Sequence, residues 1–152
     1  MNPLSSKLKA VAAAPAVLAL LLRLRWLHPR REMAALVTAM TPRRRTGSLA
    51  QAAAATVAAR AIIRRLPWLF SQPCLYRSLV TYRYLRAAGL PAAIQVGVRG
   101  DQGDLQSHAW VVLAGEPWPP EQGVTDFRPL VTYPLGEGSG DVGEASEPEA
   151  GE

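Results

Sequence analysis

The sequence has few of the side chains that build disulfides and metal sites. It contains one cysteine, Cys74, and two histidines, His28 and His108. No disulfide can therefore form within the chain, and nothing indicates an oxidising compartment. The sequence also has no CxxC pair, no HExxH motif and no group of carboxylates beside a histidine. We therefore predict no metal, no cofactor and a cytoplasmic location.

Acidic residues are almost missing from the first hundred positions. Residues 1–100 contain sixteen Lys or Arg and one acid, Glu32, whereas the remainder contains one basic residue, Arg128, and eleven acids. Such polarity is typical of proteins that meet nucleic acid, an anionic membrane or an acidic partner, and also of helices with solvated arginine faces. The basic residues are not interleaved with stacking aromatics, so we expect no nucleic-acid partner.

The longest apolar run is also short. It extends from Ala10 to Leu22 and follows Lys7 and Lys9, a charged start that is typical of a signal peptide, but no small-residue cleavage site follows. The run is shorter than the about 20 apolar residues of a membrane span. We predict a helix that ends near Pro29 and docks on the protein or on a partner. A helix lying in a membrane interface is the alternative, which leaves peripheral membrane association open.

Hydrophobic periodicity divides the chain into three regions. Residues 1–66 are predicted to be a basic, hydrophobic helical region, 67–135 a core, and 136–152 an acidic disordered tail without aromatic residues. The pattern indicates an α+β fold, with N-terminal helices and a small antiparallel sheet. The predicted elements are helices over 32–40, 48–66 and 73–88, strands from 92 and over 108–113, an edge return over 116–121 and a strand within 125–135.

The single thiol is predicted to lie at the head of a helix. Cys74 follows Pro73, which suits the first helical position. Unpaired N–H groups and the helix macrodipole there favour a thiolate, the nucleophilic form, although a cysteine is more often a small buried hydrophobe. A thiolate nucleophile usually needs a histidine base. His108 opens a strand after one helix and one strand and is the better candidate, whereas His28 is expected to be exposed or to cap a helix.

Two stretches resemble a known family. "CLYRSLVTYRYLRAAGLPAAIQVGVRG" and "HAWVVLAGEP" are similar to the transglutaminase-like B proteins of lasso-peptide biosynthesis, specifically to the separate peptidase half, the B2 protein. The similarity covers Cys74 to Pro117. It implies that 67–135 is a papain-like cysteine peptidase core on a transglutaminase-type fold. In it Cys74 would be the nucleophile, His108 the base, and backbone N–H groups at the helix head the oxyanion donors.

The resemblance also implies a pathway and its partners. Members of this family cut the leader from a ribosomally made precursor peptide. A separate ATP-dependent cyclase then closes the macrolactam ring, and a small recognition protein delivers the leader. The chain has no additional β-rich segment of the size that recognition requires. We therefore expect it to act with a separate leader-recognition protein.

The third catalytic position departs from the family pattern. An acid usually follows the histidine by about twelve positions, where this sequence has Pro120, and the acid is displaced to Glu121. A hairpin centred between Ala114 and Gly115 would set Glu121 opposite His108, within about 5.5 Å. A glutamate exposed in a proline-rich loop is an equally good interpretation. Asp126 is the alternative third member.

Three other hypotheses remain open at this point. The thiol acyl-enzyme can be resolved by an amine instead of water, which would make the chain a transglutaminase-like acyl transferase. The displaced acid is also compatible with an inactive or catalytically weak scaffold that holds the cyclase and the precursor. The third alternative is a helical protein of the membrane surface, built on residues 10–66.

Overall fold

The computed structural model describes residues 3–100 and 103–134. The predicted acidic tail, 136–152, therefore lies outside the described residues. The described part is α+β, as predicted, with helices before a four-stranded antiparallel sheet of order β3-β2-β1-β4. The helices are α1 Pro3–Leu27, α2 Met33–Met40, α3 Leu49–Arg65 and α4 Pro73–Ala87, with short 3-10 helices at His28–Arg30 and Val124–Asp126. The strands are β1 Ala92–Arg99, β2 Gln106–Leu113, β3 Glu116–Pro117 and β4 Arg128–Tyr133.

The first helix is longer than its apolar run indicated. α1 is continuous over 25 residues and includes Pro15, because the lysines and arginines flanking the apolar run are themselves good helix formers. The apolar run is shorter than a membrane span, but the helix that contains it is not, and its end at Leu27 agrees with the predicted end near Pro29. By length and composition, Lys7–Arg30 can cross a membrane, with a mean hydropathy of 1.7. A buried core helix or an N-terminal signal sequence meets the same criterion, and one face of α1 lies in the core.

The core is built mainly where α1, α3 and α4 meet. Val17, Leu21 and Leu24 of α1 are fully buried. α3 presents small alanines to its neighbours, which lets the helices approach closely, and it begins with a capping box formed by Ser48 and Gln51. One hydrophobic cluster includes residues from α1 through β2. This cluster contains residues from both the 1–66 region and the 67–135 region. The predicted boundary between these two regions at position 66 therefore stays a prediction.

A hydrogen bond joins α4 to the sheet. The Ser78 hydroxyl of α4 donates to the backbone carbonyl of Ala109 in β2, at 2.9 Å, and so holds α4 beside β2. Within the sheet, Gly97 of β1 pairs with His108 of β2. A Cβ at Gly97 would lie 2.6 Å from the backbone oxygen of Arg128 in β4, so only glycine permits this approach.

The edge return is shorter than predicted. The hairpin has the expected register, with Val112 opposite Pro117 and Leu113 opposite Glu116. However, β3 contains only two residues, because the prolines that follow have no N–H group to donate to a ladder. The predicted strand over 116–121 therefore stops at Pro117, and the chain leaves the sheet before Glu121.

Candidate active site

The thiol lies at the head of α4 and faces a cleft. Pro73 is the first residue of the helix and Cys74 the second. Cys74 is a free thiol of intermediate exposure. It lines a cleft of about 300 Å³, together with His108 of β2. Cys74 and His108 therefore line one cleft, and no hydrogen bond joins the thiol to the imidazole among the described residues.

The imidazole of His108 packs against two aromatic rings, which also contact each other. Its centroid lies 6.0 Å from that of Trp110, with the rings nearly parallel. The Phe127 ring lies 5.0 Å away on a tilted plane. The side chain is 19% exposed. These contacts restrict the rotation of the ring while leaving an edge accessible from the cleft.

Glu121 contacts the imidazole. Its Oε1 lies 3.3 Å from Nε2 of His108. This distance is within the range of an ion pair, but no hydrogen bond joins the two side chains among the described residues. A carboxylate at this distance stabilises the protonated form of the ring.

The carboxylate is held by an arginine that the sequence analysis did not single out. Nη2 of Arg77 donates to both oxygens of Glu121, at 2.9 and 2.8 Å. The two side chains are 22% and 30% exposed. Arg77 follows Cys74 by one helical turn, so both lie on the same side of α4. That spacing is the signal that could have identified Arg77, but its partner lies in a loop whose path the sequence does not indicate.

The alternative third member lies elsewhere. Oδ2 of Asp126 is 3.7 Å from Nη1 of Arg99, and the Asp126 side chain is 63% exposed. Among the described residues, Asp126 makes no hydrogen bond and no ion pair with His108. Of the two acids considered, the structure brings Glu121 to the imidazole.

His28 occupies a position that the sequence analysis did not predict. It was expected to be exposed or to cap a helix, but it lies on the 3-10 helix after α1 and lines the same cleft as Cys74. Its Nδ1 is 3.5 Å from the hydroxyl of Tyr76. The segment between α1 and α2 folds back over the head of α4, which explains the difference. Periodicity within single helices carries no information about that packing.

The described side chains form no cluster of metal ligands. Within 3–100 and 103–134, no three His, Cys, Asp or Glu side chains lie close enough together to hold a metal ion.

Comparison with known families gives one match. A model described as the transglutaminase-like superfamily matches residues 17–132, about three quarters of the chain. The match begins within α1 at residue 17 and includes α3, α4 and the strands that carry the cleft. The comparisons with curated proteins and with solved structures returned no significant match.

Proposed function

This chain belongs to the transglutaminase-like superfamily, and from that membership we propose that it is a cysteine peptidase that removes the leader from a lasso-peptide precursor. The superfamily includes cysteine peptidases and acyltransferases. The observation that carries the proposal is the contact of Glu121 with Nε2 of His108, beside a cleft that the Cys74 thiol also lines. The choice of substrate rests on the sequence resemblance to the B2 proteins.

The residues of the cleft support a two-step cleavage. In the first step, the Cys74 sulfur attacks the scissile carbonyl while Nδ1 of His108 accepts the thiol proton. Backbone N–H groups in the first turn of α4 donate to the oxyanion. The intermediate then collapses: the carbon–nitrogen bond breaks, and the imidazolium gives its proton to the leaving amine. A thioester between Cys74 and the leader remains.

Water completes the reaction. His108 takes a proton from water, the resulting hydroxide attacks the thioester, and the thiolate leaves and is protonated again. Glu121 holds the imidazole in the required tautomer and stabilises its charged form, as the acid of a nucleophile–histidine–acid triad does. Arg77 is a positioning residue, because it acts only through Glu121.

The proposed pathway includes partners in addition to the precursor. We propose a separate leader-recognition protein and an ATP-dependent lasso cyclase, because the resemblance to B2 proteins implies both. A cytoplasmic location with peripheral membrane contact fits the exposed apolar side chains of α1, such as Leu8 and Trp26, at 76% and 61% exposure. Their basic neighbours would favour an anionic lipid surface.

Reconstitution tests the proposal directly. The precursor, the recognition protein and this chain are mixed, and the products are identified by mass spectrometry. We expect a free leader that ends in a carboxylate, and no release by Cys74→Ser or His108→Ala. A new amide at the leader's end would instead identify an acyl transferase. Intact precursor with all the folded variants would identify a scaffold.

A further inference from the structure

The cleft has a second wall, which comes from the N-terminal half of the chain. His28 and Arg31, from the segment between α1 and α2, line it together with Cys74 and His108. The residues lining the cleft include no Asp or Glu. Glu121, which contacts His108 without lining the cleft, is bound by Arg77. The described part of the cleft therefore carries positive charge that no carboxylate within it balances.

Arg31 supplies that charge. Among the described residues it has no hydrogen bond and no ion pair. The adjacent acid, Glu32, is exposed and is not part of the cleft lining. The surroundings of the cleft are largely apolar and include Met33 and Val131. Arg31 itself is exposed, so solvent and salt screen its charge and the attraction it exerts in the cleft is modest.

His28 adds a polar ring to the same part of the cleft. The Tyr76 side chain is buried, and burial raises the pKa of its hydroxyl, although the Arg25 guanidinium lowers that pKa by a smaller amount. The hydroxyl lies 3.5 Å from Nδ1 of His28, and either group can be the donor, depending on the imidazole tautomer. In the tautomer in which Tyr76 donates to Nδ1, the ring carries its proton on Nε2 and is a donor at that nitrogen.

We propose that this wall binds a carboxylate of the substrate close to the scissile bond. Arg31 provides the opposite charge and His28 an N–H donor, a pairing that favours an Asp or Glu side chain over its amide. As a statement about the substrate, this inference rests on the proposed peptidase function. As a statement about the cleft, it requires only that an anion approaching the Cys74 sulfur is attracted by Arg31.

Alkylation of the single cysteine measures that attraction without any turnover. Iodoacetate and iodoacetamide are similar in size, and in both the sulfur forms a bond to the CH₂ carbon while iodide leaves with the electron pair. Only iodoacetate is an anion. The ratio of their rate constants at Cys74 therefore reports the local charge, because changes in thiol reactivity affect both reagents and cancel.

We expect the ratio of the iodoacetate rate constant to the iodoacetamide rate constant to fall about three-fold in Arg31→Gln, which removes one positive charge from a partly solvated site. The fall should be larger in Arg31→Glu, which changes the local charge by two units. The effect should shrink as salt is added. Arg60→Gln and Arg60→Glu are the matched controls, since Arg60 is an exposed arginine of α3 that does not line the cleft. A ratio unchanged by either Arg31 substitution, or equally changed by the Arg60 controls, overturns the proposal.

A second arm tests the substrate. Acidic residues near the cleavage position of the precursor are replaced singly by their amides. We expect one replacement to lower kcat/KM several-fold with the wild-type chain and to have little effect with Arg31→Gln. If cleavage depends on Cys74 but no acid matters, the substrate inference is wrong and the peptidase function stands. If the alkylation ratio shifts but no cleavage occurs, the charged wall stands and the peptidase function is wrong.

Discussion

Replacing Arg77 with methionine keeps an unbranched, apolar side chain but removes the guanidinium and with it both hydrogen bonds to Glu121. The two bonds, at 2.9 and 2.8 Å, are charge-assisted and only partly exposed. We expect the free energy of unfolding to fall by about 1–2 kcal/mol, since hydrogen bonds to charged groups contribute about 1.5–3 kcal/mol and partial solvation reduces that value. Urea denaturation measures this change.

The larger effect should be on catalysis. β3 ends at Pro117, so strand pairing does not hold Glu121 beside His108. Arg77 is the residue that hydrogen-bonds to the Glu121 carboxylate in the described part of the chain. A misplacement of about 1 Å in a catalytic group can cost about 100-fold in rate. We therefore expect kcat for leader release to fall about ten- to hundred-fold in Arg77→Met, with little change in KM.

A double-mutant cycle separates positioning from general structural damage. If Arg77 acts through Glu121, then kcat of Arg77→Met combined with Glu121→Gln should equal that of Glu121→Gln alone. Arg77→Lys should recover part of the loss, because a lysine retains one of the contacts. Arg83→Met is the matched control on the same helix, since Arg83 contacts the Met40 carbonyl and not the site. Strictly additive losses, or a normal kcat in Arg77→Met, would refute the reasoning.

Three further predictions concern the surroundings of the site. Asp126→Asn should leave kcat within about two-fold of wild type, because this acid pairs with Arg99 in a largely exposed position; a loss comparable to that of Glu121→Gln would contradict the assignment. Gly97→Ala should lower the urea midpoint sharply, because its Cβ would lie 2.6 Å from a backbone oxygen; an unchanged midpoint would show that β4 is not held so closely. Ser78→Ala should destabilise the chain by about 1 kcal/mol, because it removes the bond between α4 and β2; unchanged stability in urea would contradict that contribution.

Local patterns predicted the elements that depend on neighbouring residues. The start of α3 after Ser48, the start of α4 at Pro73 and the register of the hairpin all follow from residues close together in the sequence. The fold class followed from the change of period after residue 92. The helix boundaries agree within a few residues except at α1, where the charged flanks extended the helix.

The contacts that build the cleft were harder to predict. The hairpin argument placed Glu121 opposite His108, and the two side chains do meet. However, the ladder stops at Pro117, so the contact depends on Arg77 rather than on strand pairing. His28 reaches the cleft through packing of the segment after α1, and no local pattern reports such a contact. The site therefore depends on long-range contacts that a single sequence does not specify.

Trapping the acyl-enzyme tests the central claim most directly. The chain is mixed with the precursor and the recognition protein, quenched in acid during turnover, and examined by intact-mass spectrometry. The proposal predicts an adduct on Cys74 with the mass of the leader less one water, removed by hydroxylamine and lacking in Cys74→Ala. Leader release that continues in Cys74→Ala, with no adduct on the wild-type chain, would contradict it.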